Sequence, residues 1–113
     1  MELKCLDIVL CEFYFSDLKT SKKRPVLVFK DNLPYDDFVA IPISSKINNL
    51  YEDELLLNNT DFIDGSIPKT SKLMIRKTFV VSKQSIIKRY GTLTKEFYEI
   101  YHKSFCKYFG CNL

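Results

Sequence analysis

The side chains best suited to chemistry in this sequence are the guanidinium of Arg24 and the hydroxyls of Ser44 and Ser45. A guanidinium presents planar donors that suit phosphate oxygens, and a neighbouring hydroxyl can donate to the same group. Arg24 precedes the apolar run 26–29, and Ser44 ends the apolar run 38–44. If these runs are neighbouring antiparallel strands, both side chains lie at the same end of a sheet. A phosphodiester is the natural ligand of such a pair.

The sequence lacks the residue combinations typical of other catalytic or metal-binding sites. The chain has one histidine, His102, which we expect on the solvent face of a helix, and a nuclease that uses two histidines is excluded. The three glycines form no phosphate-binding fingerprint. The four cysteines lack the close spacing of zinc sites, and we expect them to stay reduced because the N-terminal residues do not resemble an export signal. We therefore predict no metal and no cofactor.

Composition and charge describe a small folded domain. The chain has 113 residues, of which 46% are apolar and 27% charged, and its net charge is +3. This composition is typical of globular proteins, and the length fits a single domain over residues 1–113. The net charge is too small to indicate a general binding surface for nucleic acid or anionic membrane. The apolar runs are too short to cross a bilayer. We predict a cytoplasmic protein with no membrane partner.

The pattern along the chain predicts strands first. Apolar runs rich in β-branched and aromatic residues indicate strands at residues 6–15, 25–29, 38–44, 54–57, 72–81 and 86–93. The polar stretch Ser16 to Arg24 is predicted to be a loop, and Asp64 with Gly65 a turn. The first connections are too short for helical crossovers, so the pairing should be antiparallel. We predict a mainly β fold, a small antiparallel barrel or curled sheet over about residues 6–93.

A helix is predicted after the last strand. From Thr94 the hydrophobic period changes, and aromatic residues recur at helical spacing over about residues 95–109. Thr94 can cap the N-terminus of this helix, and Gly110 can end it in a left-handed conformation. The sequence therefore indicates a C-terminal amphipathic helix that packs its aromatic stripe on the sheet.

Three stretches of the chain resemble a known family. In order they read DIVLCEFYFSDLKTSKKRPVLVF, DDFVAIPISSK and SIIKRYGTL, and together they are similar to the MazF/PemK toxin endoribonucleases over most of residues 6–93. The resemblance implies an SH3-like barrel of the MazF/CcdB type that forms a homodimer. It further implies the toxin of a type II toxin–antitoxin system, an mRNA interferase that cleaves single-stranded RNA at specific sequences without a metal and is blocked by a cognate antitoxin.

The same resemblance suggests roles for individual residues. In the family, the arginine of the Arg-Pro motif and the hydroxyl of the Pro-x-Ser-Ser motif act at the scissile phosphate, which implies Arg24 and Ser44 as catalytic residues. The remaining RNA contacts are expected from a second hydroxyl, four cations and one aromatic ring, namely Ser45, Lys22, Lys23, Lys72, Arg76 and Phe15. DNA lacks the 2′-hydroxyl nucleophile, so DNA binding is expected without DNA cleavage.

Two departures from the family pattern bear on activity. Relatives commonly begin the first strand with Gly-Asp, where this chain has Leu6-Asp7, a change that we expect to be tolerated. Many relatives also carry a glutamate in the loop before the arginine, whereas residues 19–23 contain no carboxylate. A second hypothesis is therefore an inactive or protein-targeting binding module with the same barrel, acting as an adaptor or a gyrase poison. In that case Arg24 would only cap a strand end.

Overall fold

The computed structural model describes residues 2–14, 17 and 19–111 of the chain. In this part of the chain, eight strands precede one α-helix, which confirms the predicted mainly β fold with a C-terminal helix. The strands are β1 (Asp7–Tyr14), β2 (Ser21–Lys30), β3 (Asp37–Ser44), β4 (Glu54–Leu57), β5 (Phe62–Gly65), β6 (Ser71–Met74), β7 (Phe79–Ser82) and β8 (Ile86–Leu93), and the helix α1 is Lys95–Phe109. Single 3₁₀ turns at Asn59–Asp61, Ile75–Lys77 and Lys83–Ser85 connect some of them.

The strands form one antiparallel sheet that curls into a half-barrel. Their order is β4-β6-β3-β2-β1-β8-β5, and β7 pairs with β3 beside β6. The pairing of β1 with β8 shifts register twice, between Ile8 and Val9 and between Leu10 and Cys11. Such irregularities bend a strand and increase its twist, which helps the sheet to curl.

The long strands β1 and β2 extend beyond the rest of the sheet. The pairing of β1 with β8 ends at Cys11, and that of β2 with β3 ends at Val26. Beyond these points residues 12–14 pair only with residues 21–23, while Arg24 pairs with Cys11. We term residues 12–14 and 21–24 the β1–β2 ribbon. The predicted loop from Ser16 to Arg24 is therefore wrong for residues 21–24, which are strand. Their polar side chains resemble a loop in the sequence because the ribbon is exposed to solvent.

The sheet buries apolar residues on both faces. Ile8, Leu27 and Ile41 belong to a core that α1 covers, while their strand neighbours Val9 and Val26 belong to a second core on the opposite face. This alternation follows from the two-residue period of a strand. Two buried faces explain why the central strands contain nearly continuous apolar runs.

Sequence reasoning placed residues 72–81 in one strand with a single apolar face, and this prediction is wrong. The 3₁₀ turn Ile75–Lys77 separates β6 from β7 and resets the alternation. Leu73 and Ile75 consequently pack in the core beneath α1, whereas Phe79 and Val81 pack in the core on the other face.

Helix α1 has the predicted caps. The Thr94 hydroxyl accepts a hydrogen bond from the Phe97 N–H at 3.2 Å, and Gly110 adopts a left-handed conformation with φ 71°. Phe97 and Tyr101 are buried against the sheet. Within the described residues, no helix combines the length and apolar character that crossing a membrane requires.

The cysteines do not all stay reduced as the sequence predicted. Cys106 in the last turn of α1 forms a disulfide with Cys111, while Cys5 and Cys11 are free thiols. Burial raises the pKa of both free thiols, which makes them poor nucleophiles. The expectation was wrong for the pair at the end of the helix, where five residues of separation and the turn at Gly110 bring the two sulfurs together.

The residues that begin β1 adopt an unusual backbone conformation. Leu6 has φ 82°, in the region that favours glycine, and Asp7 after it is fully buried. The Asp7 carboxylate accepts hydrogen bonds from the Lys4 N–H at 3.1 Å and the Thr92 hydroxyl at 2.7 Å. The position that relatives commonly fill with glycine therefore has a conformation in which leucine is strained.

Candidate active site

Arg24 and Lys22 point to one face of the β1–β2 ribbon. Arg24 is paired with Cys11 and Lys22 with Phe13, and directly paired residues of antiparallel strands share a face. Val26, which is buried in the core opposite α1, lies on this face too. Among the described residues, neither cation forms an ion pair. The two positive charges are thus exposed at the edge of an apolar core.

The register of β2 and β3 relates Arg24 to Ser44. The last pair of this ladder is Val26 with Pro42, and Arg24 and Ser44 lie two residues further along their strands. If the register continued, Arg24 and Ser44 would lie opposite each other. Because side chains alternate between faces, both would then lie on the same face as Val26. Ser44 has no β2 partner in this ladder and pairs with Lys72 of β6, across the other edge of β3 from β2. The pairing of β2 with β3 thus ends before it reaches Arg24 and Ser44.

Ser44 is held by a local turn. Its Oγ accepts a hydrogen bond from the Lys46 N–H at 3.1 Å, which leaves the hydroxyl proton available for donation to a ligand. The side chain of Ser44 is half-buried, and that of Ser45 is exposed. Both hydroxyls lie at the end of β3, where the chain leaves the sheet.

An open groove of about 340 Å³ adjoins Arg24. The Phe13 and Phe79 rings lie in it with their centroids 5.7 Å apart, at an interplanar angle of 57°. Six residues line the groove, namely Phe13, Lys22, Arg24, Val26, Pro42 and Phe79. Ser44 is not among them and lies two residues beyond Pro42 on β3. The groove combines an apolar floor with two cations.

The other predicted contacts are scattered. Lys23 is paired with Glu12 and points to the opposite face of the ribbon from Arg24. Arg76 is exposed in a 3₁₀ turn, where its Nε lies 3.6 Å from an Asp53 carboxylate oxygen. Phe15 falls outside the described residues. The structure thus brings Lys22 and Arg24 to the groove and leaves Lys23 and Arg76 outside its lining.

Lys72 has a different environment from the one that the sequence predicted. Its ammonium is buried, lies 2.8 Å from the Glu54 carboxylate and donates to the Asn49 carbonyl at 2.9 Å. A lysine committed to these partners cannot also hold an RNA phosphate, so Lys72 is removed from the candidate contacts. A glutamate in the short apolar strand β4 was the sequence signal for a buried partner.

His102 was expected to be solvated and is instead half-buried. Its ring stacks on those of Tyr98 and Phe29, with centroids 5.2 Å and 5.9 Å away. These rings border a second cavity of about 350 Å³ between α1 and the end of β2. Arg24 and Ser44 do not line this cavity, so His102 has no place in the candidate active site.

Sequence reasoning did not select Phe79 for the site. It treated residues 72–81 as one strand, with Phe79 on the same face as Leu73 and Ile75. The available signal was Thr78, since a hydroxyl residue between a cationic pair and an apolar run is typical of a turn. The Thr78 hydroxyl does close that turn by donating to the Ile75 carbonyl at 2.7 Å.

The curled sheet with its C-terminal helix is the architecture of MazF toxin structures. An endoribonuclease in complex with its cognate antitoxin, from a mycobacterial species, matches with a TM-score of 0.76 and 12% identity over 99% of both chains. The Mycobacterium tuberculosis toxin MazF-mt6 matches with a TM-score of 0.70 and 15% identity over 95% of this chain and 99% of that chain. These identities establish a shared fold.

The family follows from the sequence itself. Residues 4–109 match the model of a family described as PemK-like, MazF-like toxins of type II toxin–antitoxin systems, and the chain belongs to this family. The resemblance noted in the sequence is thereby confirmed. No curated protein sequence is significantly similar to the chain.

Proposed function

We propose that this protein acts in the cytoplasm as a metal-independent endoribonuclease that cleaves single-stranded RNA at specific sequences. The observation that carries the proposal is that Arg24 and Ser44 each lie two residues beyond the last β2–β3 pair, where Arg24 borders a cationic groove. Membership in the MazF-like toxin family supports the same activity. Arg24 and Ser44 are the proposed catalytic residues.

The proposed reaction is a transesterification within the RNA strand. The ribose 2′-oxygen bonds to the adjacent phosphorus as its proton passes to water, and the bond from phosphorus to the 5′-oxygen breaks. The 5′-oxygen takes up a proton, so the products are a 2′,3′-cyclic phosphate and a free 5′-hydroxyl. Arg24 stabilises the charge that develops on the non-bridging oxygens, and the Ser44 hydroxyl donates a hydrogen bond to the same group.

The remaining substrate contacts come from exposed residues around this pair. Lys22 borders the groove and attracts the RNA backbone. Ser45, Lys23 and Arg76 are exposed outside the groove lining and are the more distant proposed contacts. The aromatic rings in the groove suit unpaired bases better than a duplex. The substrate is therefore single-stranded.

The proposed partners are a second copy of the chain and a cognate antitoxin. One structural neighbour is an endoribonuclease in complex with its cognate antitoxin, which supports a similar partner for this chain. Lys22 and Arg24 have no carboxylate partner among the described residues, so an acidic and partly disordered antitoxin segment would complement them. Occupation of the groove by that segment would block RNA.

The proposal is tested with purified protein, a long single-stranded RNA and its DNA copy in the presence of a chelator. We expect cleavage of the RNA alone, with cyclic phosphate ends. Arg24→Ala should lower kcat about 100- to 1000-fold, as expected for loss of a preorganised donor to a developing oxyanion. Ser44→Ala should also lose activity and Ser44→Thr should retain it. Lys95→Ala, which removes an exposed cation at the start of α1, is the matched control.

Intact RNA after incubation with folded wild-type protein would contradict the proposal. That result would favour the inactive or protein-targeting binding module. Cleavage that persists in Arg24→Ala would keep the nuclease but overturn its assigned site.

A further inference from the structure

We infer that the groove beside Arg24 is a binding site for one unpaired RNA base, which lies on an aromatic platform formed by Phe13 and Phe79. This inference rests on the proposed function, because it names a substrate subsite of the same groove. It goes further because it proposes that Phe79 helps to determine which base the protein accepts near the cleaved bond. Phe79 lies on β7, a strand that carries none of the proposed catalytic residues.

The two rings are placed for contact with a flat ligand. Phe13 and Phe79 are both half-buried at the edge of the core opposite α1, so each ring packs on one side and remains accessible on another. Their 57° tilt forms an angled apolar surface above Val26 and Pro42. A groove of about 340 Å³ is near the lower limit for small-ligand pockets, which suits one base rather than several.

The charges around the platform select the chemical class of the ligand. Lys22 and Arg24 lie on the groove side of β2, about 7 Å apart along the strand. An apolar aromatic surface next to two cations fits a nucleotide, whose base is flat and whose phosphate is anionic. Proteins that bind single strands combine the same two elements, stacking rings and a positive groove. An acidic peptide would satisfy the cations but gains less from two exposed aromatic faces.

The neighbouring residue on β7 provides an internal control. Val80 is 58% exposed and points to the side of the strand opposite to Phe79. Residues 79 and 80 are thus adjacent on one short strand, but only a substitution at residue 79 changes the groove.

The experiment measures binding rather than cleavage. The cleavage site of the wild-type protein is mapped first, and an RNA oligonucleotide spanning it is made with 2′-fluoro groups, which removes the nucleophile. A series of oligonucleotides then replaces each nucleotide near the site with an abasic one. For the wild-type protein we expect one position at which the abasic change weakens binding roughly tenfold, since stacking of one base has about that effect.

Variants at residue 79 identify the platform. In Phe79→Leu, which keeps the apolar bulk but loses the aromatic face, the intact oligonucleotide should bind about tenfold more weakly and the abasic change at that position should have no further effect. Phe79→Tyr should behave like the wild type, and so should Val80→Ala. The salt dependence of binding should stay unchanged in Phe79→Leu but decrease in Lys22→Ala, because only the lysine displaces counterions from phosphate.

The outcomes separate this inference from the proposed function. RNA cleavage by the wild type without any abasic position coupled to Phe79 would overturn the base site and leave the nuclease intact. Failure of the wild type to cleave or bind RNA would overturn both. Loss of binding of an acidic antitoxin-like peptide in Phe79→Leu, with RNA binding unchanged, would assign the platform to a protein partner and overturn the base site.

Discussion

The Lys72 ammonium lies 2.8 Å from the Glu54 carboxylate, in a contact that both side chains shield from solvent. The same carboxylate oxygen accepts the Tyr51 N–H at 2.9 Å, and the same ammonium donates to the Asn49 carbonyl. Through these bonds the pair joins β4 and β6 to the irregular segment 45–53. Because this segment follows Ser44 directly, the buried ion pair fixes the chain next to a proposed catalytic hydroxyl.

We predict that Lys72→Met lowers the free energy of unfolding by about 3 kcal/mol, because it leaves the Glu54 carboxylate buried without its partner. Urea denaturation measures the change. The double variant Lys72→Met with Glu54→Leu should recover most of the loss, since no unpaired charge remains. Lys69→Met, at an exposed lysine nearby, is the control and should have little effect. A Lys72→Met protein as stable as the wild type would show that the pair is dispensable.

The same carboxylate should make stability depend on pH. Burial tends to raise the pKa of Glu54, but hydrogen bonds from Lys72 and the Tyr51 N–H, with the charge of Lys72, hold the pKa below its usual value of 4.5. The stabilisation is therefore complete above 4.5 and is lost as pH falls through the lower value of the folded state. Denaturation should show the wild type more stable than Glu54→Gln at about pH 7, with a smaller difference at about pH 3.

The control for this prediction is Glu99→Gln, at an exposed position of α1. Its difference from the wild type should be small at both pH values. A gap between wild type and Glu54→Gln that is equal at neutral and acidic pH would contradict the assigned linkage.

Gly91 should not tolerate a side chain. It faces Gly65 where β8 crosses β5, and a Cβ added at Gly91 would overlap the carbonyl oxygen of Asp64. Gly91→Ala must push the two strands apart, so we expect about 3 kcal/mol of destabilisation in thermal or urea unfolding. Gly110→Ala is the comparison, because a Cβ there meets nothing within 4 Å. Its left-handed conformation should limit the loss to about 1 kcal/mol.

Leu6 offers a matched test of backbone strain. Glycine is normally less stabilising than alanine outside turns, by up to about 1 kcal/mol. At φ 82° the order should reverse, so Leu6→Gly should be more stable than Leu6→Ala by about 1 kcal/mol. Both variants lose the same leucine contacts with the core, and their difference in urea denaturation isolates the backbone. If the alanine variant is the more stable one, the positive φ carries no strain.

How well the sequence predicts each element of the fold depends on how exposed that element is to solvent. The apolar runs of β1 and β3 predict these strands because most of their length is buried or half-buried, and short connections predict that Arg24 and Ser44 share one end of the sheet. Residues 21–24 escaped prediction because their exposed, polar residues look like a loop, and the edge strand β5 because it is short and ends in Asp64 and Gly65, which look like a turn. The position of Phe79 depends on a 3₁₀ turn that no hydrophobic period reveals. The catalytic roles of Arg24 and Ser44 stay predictions.

The β1–β2 ribbon places two proposed substrate contacts, Lys22 and Arg24, at exposed positions outside the packed core. Residues 12–14 pair only with residues 21–23, and apart from Phe13, which packs against the core opposite α1, the side chains of the ribbon contribute little to the packing that holds the half-barrel together. Substitutions at its exposed positions other than Arg24 are expected to change the proposed RNA contacts while the domain remains intact. Related toxins could therefore evolve new targets or new antitoxin partners through substitutions in this ribbon, since such substitutions would cost the fold little stability.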